Sequence, residues 1–174
     1  MDNDLSARLA RIEDRQAILE LIYLYCRGLD RLDEATLRSV YHDDAVDDRG
    51  EGLFVGSAHE MANYALDQLR RNFTASQHFI GNVLIDFAGD VAFGESYFQA
   101  YHRYAERPGK PPAELIMAGR YLDRFERRDG VWKIAHRKMA MDWSRTQPVA
   151  ERWFERNPGA HRSARALADS RLEV

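Results

Sequence analysis

The spacing of apolar residues changes once along the chain. Up to about residue 71 they recur at three- and four-residue steps, and over residues 77–142 they alternate with polar ones. Residues 7–25 read as a helix with the stripe Leu9, Ile12, Leu19, Ile22, broadened by Ile18, Leu21 and Tyr25. Its second half, residues 17–26, is apolar apart from Glu20 and is expected to be the more buried. Gly28 weakens the helix and Asp30 follows. Asp33 can cap a short helix over 34–41, with Leu37, Val40 and Tyr41 inward. Residues 42–52 are acidic and turn-rich, with room for a short strand around Ala45 and Val46. Ser57 and Glu60 match a capping box, so a third helix is expected over 58–71, with Met61, Tyr64, Ala65 and Leu69 as its apolar stripe.

Four long strands are expected after that, over 77–87, 91–104, 115–127 and 131–142. Ala88-Gly89-Asp90 and Arg128-Asp129-Gly130 supply tight turns, and the Pro-rich segment 105–114 is a surface loop able to gate a site. In a regular strand, His78, Ile80, Asn82 and Leu84 share one face, and Phe79, Val83, Ile85 and Phe87 the other. The same rule groups Glu95, Tyr97, Gln99 and Tyr101 on one face. It puts Arg120 with Ile116, Ala118 and Leu122, and Arg137 with Val131, Ala135, Met139 and Met141. An arginine among alanine and methionine needs a carboxylate or an anionic ligand, and Asp30 and Glu95 are the acids considered for it. Helices first and an antiparallel meander afterwards give an α+β fold, with N-terminal helices packed on one face of a strongly curved antiparallel sheet. The concave face of such a sheet either fills with side chains or becomes a pocket.

Bulk properties narrow the function. With 174 residues and a net charge of -3, the chain suits one domain and carries no basic footprint for nucleic acid. Cys26 is the only cysteine, so no intrachain disulfide forms. No apolar run reaches membrane-span length, and the opening residues lack the order of a secretory signal, so a cytoplasmic location is expected. The histidines show no HxH or HExxH grouping, and no nucleotide motif or nucleophile elbow appears; neither metal nor cofactor is expected. The tail, 147–174, is anchored by Trp153 and Phe154 as a short helix or arm and is expected to fray beyond Pro158.

Three stretches carry a family resemblance: Tyr25-Cys26-Arg27-Gly28-Leu29-Asp30, Gln77-His78-Phe79, and the run from Gly119 to Lys133 that contains ERRDGVWK. Together they resemble the SnoaL-like branch of the nuclear-transport-factor-2-like superfamily, with its gamma-hexachlorocyclohexane dehydrochlorinases, bile-acid 7α-dehydratases and scytalone dehydratases. The resemblance covers most of residues 9–143, so one domain over 1–146 is expected, followed by the tail. It implies a cone-shaped α+β barrel, an aspartate at Asp30 paired with a histidine at His78, and an active-site arginine at Arg137. The hairpin marks the fold and is chemically silent, whereas the Asp/His pair carries the functional implication.

Those residues suit one chemistry. An ionised Asp30 that accepts from one ring nitrogen of His78 leaves the other nitrogen as a general base. Tyr25 can donate to a leaving oxygen or an enolate, provided the helix ends or bends near Gly28, and Arg137 can stabilise a departing anion. Tyr41, Tyr97, Tyr101, Arg120, Met139 and Met141 are the candidate substrate-binding residues. The expectation is a cofactor-independent lyase acting on a hydrophobic, cyclic small molecule, as a homodimer or homotrimer. An isomerase using the same base, or a non-catalytic binding or assembly module, stays open, as does a purely structural role for His78.

Overall fold

A computed structural model describes residues 2–150, 152–160 and 165. Helix α1 spans Asp2–Arg31, α2 Glu34–Ser39 and α3 Ala58–Asn72. The strands are β1 Tyr41–Gly50, β2 Phe54–Ser57, β3 Phe73–Ala88, β4 Val91–Tyr104, β5 Ala113–Arg128 and β6 Val131–Pro148, and a single turn, α4, covers Trp153–Arg156. They form one curved, unclosed sheet in the order β2-β1-β6-β5-β4-β3, antiparallel except where β1 runs parallel to β6. The helices pack on one face, giving the expected α+β cone.

The buried stripe of α1 is Ile18, Ile22, Tyr25, Cys26 and Leu29, a run of three- and four-residue steps that locks its second half to the sheet. Leu9 and Ile12 are exposed, contrary to the expected stripe; the side of this half that meets the sheet carries Arg11, Asp14 and Arg15, which reach Phe87, Trp132 and Val83. In α3 the inward residues are Met61, Ala62, Leu66 and Leu69, and Tyr64 turns out to solvent. Asp33 caps α2 through the Thr36 amide at 3.1 Å, and Ser57 caps α3.

Helix α1 continues through Gly28 and stops in a hydrogen-bonded end. The Asp33 amide donates to the Gly28 carbonyl at 2.9 Å and the Leu32 amide to Leu29 at 3.3 Å, with Leu32 left-handed at φ 55. Two such bonds with a left-handed residue between them form a Schellman end, here built without glycine at the cost of roughly 1 kcal/mol. Gly28 serves close approach instead: a Cβ there would sit 2.9 Å from the Leu37 Cβ and 3.0 Å from its backbone. Gly28→Ala is therefore expected to destabilise the protein. About 1–3 kcal/mol of overpacking outweighs the helix propensity alanine gains, read as a lower urea midpoint at unchanged slope.

Strand faces are set by bulges. Between Ile80 and Val83, β3 has one residue more than the β4 segment Phe98 to Ser96. The extra residue reverses the alternation. His78, Ile80, Val83, Ile85 and Phe87 are the more buried positions, and Phe79 and Leu84 lie outside. The regular-strand grouping of Val83, Ile85 and Phe87 away from His78 is corrected accordingly. In β6, Ala135 is the extra residue between Ile134 and His136, so Arg137 joins Trp132 and Ile134 inside and Val131 points out.

Candidate active site

Asp30 sits in the last turn of α1, where the negative end of the helix dipole disfavours a carboxylate. His78 compensates with two donors. Its backbone N–H reaches Asp30 Oδ2 at 2.8 Å, and its Nδ1 lies 2.7 Å from Asp30 Oδ1. Strand β3 is the sheet edge, so alternate amides lack a ladder partner, and Asp30 satisfies this one. The His78 side chain is 7% exposed and that of Asp30 21%. A neutral imidazole that donates from Nδ1 to a carboxylate carries its lone pair on Nε2.

The strand pairs give His78 its neighbours. Residues directly opposite share a face, so Ala100 and Met117 extend the His78 row and Phe98, Gly119 and Met141 the Ile80 row. On the other side stands His102, its ring 5.5 Å from that of His78 and edge-on to it. Phe73 packs 4.9 Å from the same ring. Burial, with the His78 and Arg165 charges adding, lowers the His102 imidazole to about 4. A histidine whose folded pKa is depressed takes its proton more readily when unfolded. No stability depends on it above the unfolded value of about 6.5, and the fold loses stability as pH falls from there toward 4. His102→Gln should flatten that part of the stability–pH curve, measured by urea titration at a series of pH values.

Deeper in the cone lies a buried charge cluster. Opposite strand positions bring Asp47, Arg137 and Asp123 into one row. Arg137 is fully buried and grips Asp123 through Nε and Nη2, both at 2.7 Å. Its guanidinium lies 4.0 Å from the Tyr25 ring and 4.3 Å from the Tyr121 ring. Burial opposes its charge, but Asp123 more than restores it, and the pKa stands well above the ordinary value. Arg49 donates from Nη2 to Asp47 Oδ2 at 2.9 Å and to the Tyr25 hydroxyl at 3.1 Å, and Tyr41 donates to Asp47 at 3.4 Å. Two arginines thus face two aspartates, so the cluster is charge-balanced. The Cys26 thiol is pushed up to about 12 by burial, and it feels both Arg137 and Asp30, so it stands between the cluster and the Asp30–His78 pair.

The expected site residues separate into groups. Asp30 and His78 meet directly. Tyr25 and Arg137 meet each other in the deep cluster, and Arg137 pairs with Asp123 rather than with Asp30 or Glu95, because the Ala135 bulge shifts the register and brings Asp123 opposite it. Met139 and Met141 lie on the concave side, with Met139 Sδ 2.8 Å from Arg49 Nη1. Tyr41 is buried in the same cluster as Tyr25 and donates to Asp47. Tyr97, Tyr101 and Arg120 are corrected to the outer face: Tyr97 pairs with Arg120 and Tyr101 with Ile116, while their strand neighbours Phe98, Ala100 and Tyr121 are the buried ones. Arg120 is bound there to Asp142 at 3.0 Å. The Pro-rich loop lines a surface groove of about 580 Å³ with Thr74, Arg103 and Tyr104. No three His, Cys, Asp or Glu side chains among the described residues are grouped to hold a metal.

A family model described as SnoaL-like domain matches residues 10–138, which takes in α1 from residue 10 onward, the sheet through Arg137 and both halves of the Asp30–His78 pair. The chain belongs to the SnoaL-like family. Among solved structures, this SnoaL-like protein is similar to a hexachlorocyclohexane dehydrochlorinase, LinA type 2, at 26% identity and TM-score 0.71, covering 90% of this chain and 97% of that one. LinA type 3 from Novosphingobium barchaimii LL02 matches at 26% identity and TM-score 0.70, over 82% of this chain and 94% of that one. A putative scytalone dehydratase from Novosphingobium aromaticivorans DSM 12444 shares the fold at 23% identity and TM-score 0.68, over 81% and 96%. No curated protein sequence matches the chain. The dehydrochlorinase neighbours support membership of a small-molecule-converting enzyme family.

His102, Asp47, Arg49, Asp123 and Arg165 escape a reading of the sequence alone. Asp47 and Arg49 lie in a segment whose acidic pairs look like turn, and Asp123 meets Arg137 only once the Ala135 bulge is counted.

Proposed function

We propose that this protein is a cofactor-independent lyase that eliminates water or halide from a hydrophobic, cyclic small molecule. The supporting observation is the two-point contact of Asp30 with His78, which fixes the tautomer in which Nε2 is free to accept a proton. Nε2 takes the proton from a carbon next to an electron-withdrawing group. The C–H pair becomes the new double bond, and the neighbouring substituent departs with its own pair. If that substituent is hydroxide, the proton on His78 is returned as water forms. Tyr25 accepts from Arg49, so its own O–H is left to donate to a leaving oxygen. Arg137 leaves Nη1 without a partner among the described residues, and in this reading that nitrogen is the donor offered to the departing anion.

The test is a screen of hydroxylated and halogenated alicyclic, steroid-like and polyketide-like compounds, followed by mass loss of water or hydrogen halide. Turnover that depends on His78 supports elimination. Deuterium uptake from solvent at a second carbon without loss of mass would identify an isomerase instead, and binding without either outcome a non-catalytic module.

We further propose a cytoplasmic homodimer or homotrimer joined through the outer sheet face, where Phe79, Leu84, Phe93 and Trp143 are exposed. Light scattering of the purified protein at micromolar concentration tests this, and a monomer there would refute it.

A further inference from the structure

One charged residue near the base comes from beyond the SnoaL-like match. Arg165 donates from Nη1 to the Leu69 carbonyl at 3.0 Å and from Nη2 to Ser76 Oγ at 2.9 Å. Leu69 lies in the last turn of α3, whose carbonyls attract a cation. Ser76 precedes His78 by two positions on the same half-buried side of β3, about 6.6 Å along an extended strand. Arg165 is close enough to Asp30 and to His102 for its charge to act on both. Its Nε is buried and has no partner among the described residues, and so is Nδ1 of His102. Two unsatisfied polar atoms beside one base are costly unless a ligand meets them.

The charges at this end of the cone give those atoms a use. At rest Asp30 and Arg165 cancel, and His102 is neutral. Once His78 has taken a proton, the same groups sum to one positive charge. A substrate that has lost that proton carries one negative charge, and it is stabilised where the charge rests near Arg165.

We propose that Arg165 is a specificity residue of this site and that the substrate is a ring whose reacting carbon lies next to a carbonyl, the oxygen of which accepts the charge. This rests on the reading of His78 as the base. As Nε2 removes the proton, the C–H pair forms a C=C bond and the carbonyl π pair moves to oxygen, which becomes an enolate held by Arg165. The pair then returns and the neighbouring group leaves with its own electrons. Ser76 and the α3 terminus hold the guanidinium in place.

Binding of 4-nitrophenol tests this without turnover, because its phenol and phenolate absorb differently and the phenolate mimics the enolate. The wild-type protein is expected to bind the phenolate and to lower the apparent phenol pKa. Arg165→Gln should bind it roughly 10- to 100-fold more weakly, the loss of one hydrogen bond to a charged group, and should not lower that pKa. Arg165→Lys should retain part of the effect. Nitrobenzene, which has no acidic oxygen, should bind both proteins alike. In parallel, the His102 resonance should titrate at a higher pH in Arg165→Gln, since the guanidinium is one of the charges holding it down.

Equal phenolate affinity in wild type and Arg165→Gln would overturn the proposal, as would no phenolate binding at all. A matching loss for nitrobenzene would reduce Arg165 to a packing role. Failure of the lyase reading looks different: phenolate binding would still depend on Arg165 while His78→Ala left any turnover intact.

Discussion

Asp30→Asn is expected to lose about as much activity as His78→Ala, roughly 10²–10⁴-fold for removal of a general base, with circular dichroism unchanged in both. The severity for so small a change follows from the two-point contact. The His78 backbone N–H can only donate, so the asparagine oxygen must take the place of Asp30 Oδ2. Its amide group then faces Nδ1 and donates to it. The proton moves to Nε2, and the base has no lone pair where the substrate binds. Asp30→Glu should fare better, because the charge and both acceptors survive although the reach changes. Near-wild-type elimination by Asp30→Asn on an identified substrate would remove Asp30 from the mechanism.

Asp123→Ala is expected to produce the largest loss of stability. It leaves the Arg137 guanidinium fully buried with its two 2.7 Å bonds gone. Breaking a buried pair from one side typically costs about 3–5 kcal/mol, a large share of the stability of a chain this size. The double variant Asp123→Leu with Arg137→Met should recover most of that loss in a urea titration, since the desolvation cost of both charges disappears together. Arg137→Lys is expected to sit between, with lower turnover as well, because one ammonium cannot keep both bonds to Asp123 and remain flat between Tyr25 and Tyr121. If the double variant proves as unstable as Asp123→Ala, the aromatic sandwich and not the ion pair carries the energy.

These two results bear on different kinds of legibility. Asp30 and His78 are found from sequence because each sits at a recognisable punctuation, a helix end and an apolar strand start. The hairpins are found because their turns are short and Asp-Gly-rich. The bulges are not, since one extra residue leaves no compositional trace beyond a glycine such as Gly81 near the β3 bulge. That single uncertainty explains why Val83 and Val131 are assigned to the wrong faces and why Arg137 is given the wrong partner. Tyr97, Tyr101 and Arg120 fail for a different reason. Alternation sorts a strand into two faces but does not say which of them meets the helices when both carry aromatic residues. Arg165 is hidden because its contacts, Leu69 and Ser76, lie 96 and 89 positions away, in a tail with no periodic signal.

The bulges also divide the sheet in a way that bears on how such a scaffold changes. Strands β4 and β5 pair without interruption from Val91–Glu126 to Arg103–Glu114, whereas β3 shifts once against β4, and β6 shifts twice against β5. The central hairpin is a straight ruler, and its two flanking strands are each cut into segments whose phase is set separately. Deleting one residue at the β3 bulge would turn the His78 segment over while the Val83–Phe87 segment kept its place in the core. Insertions and deletions at these points therefore exchange site-facing for outward-facing side chains in one step. New pockets can arise on this framework by changes of length as readily as by substitution, without unpacking the end that holds the protein together.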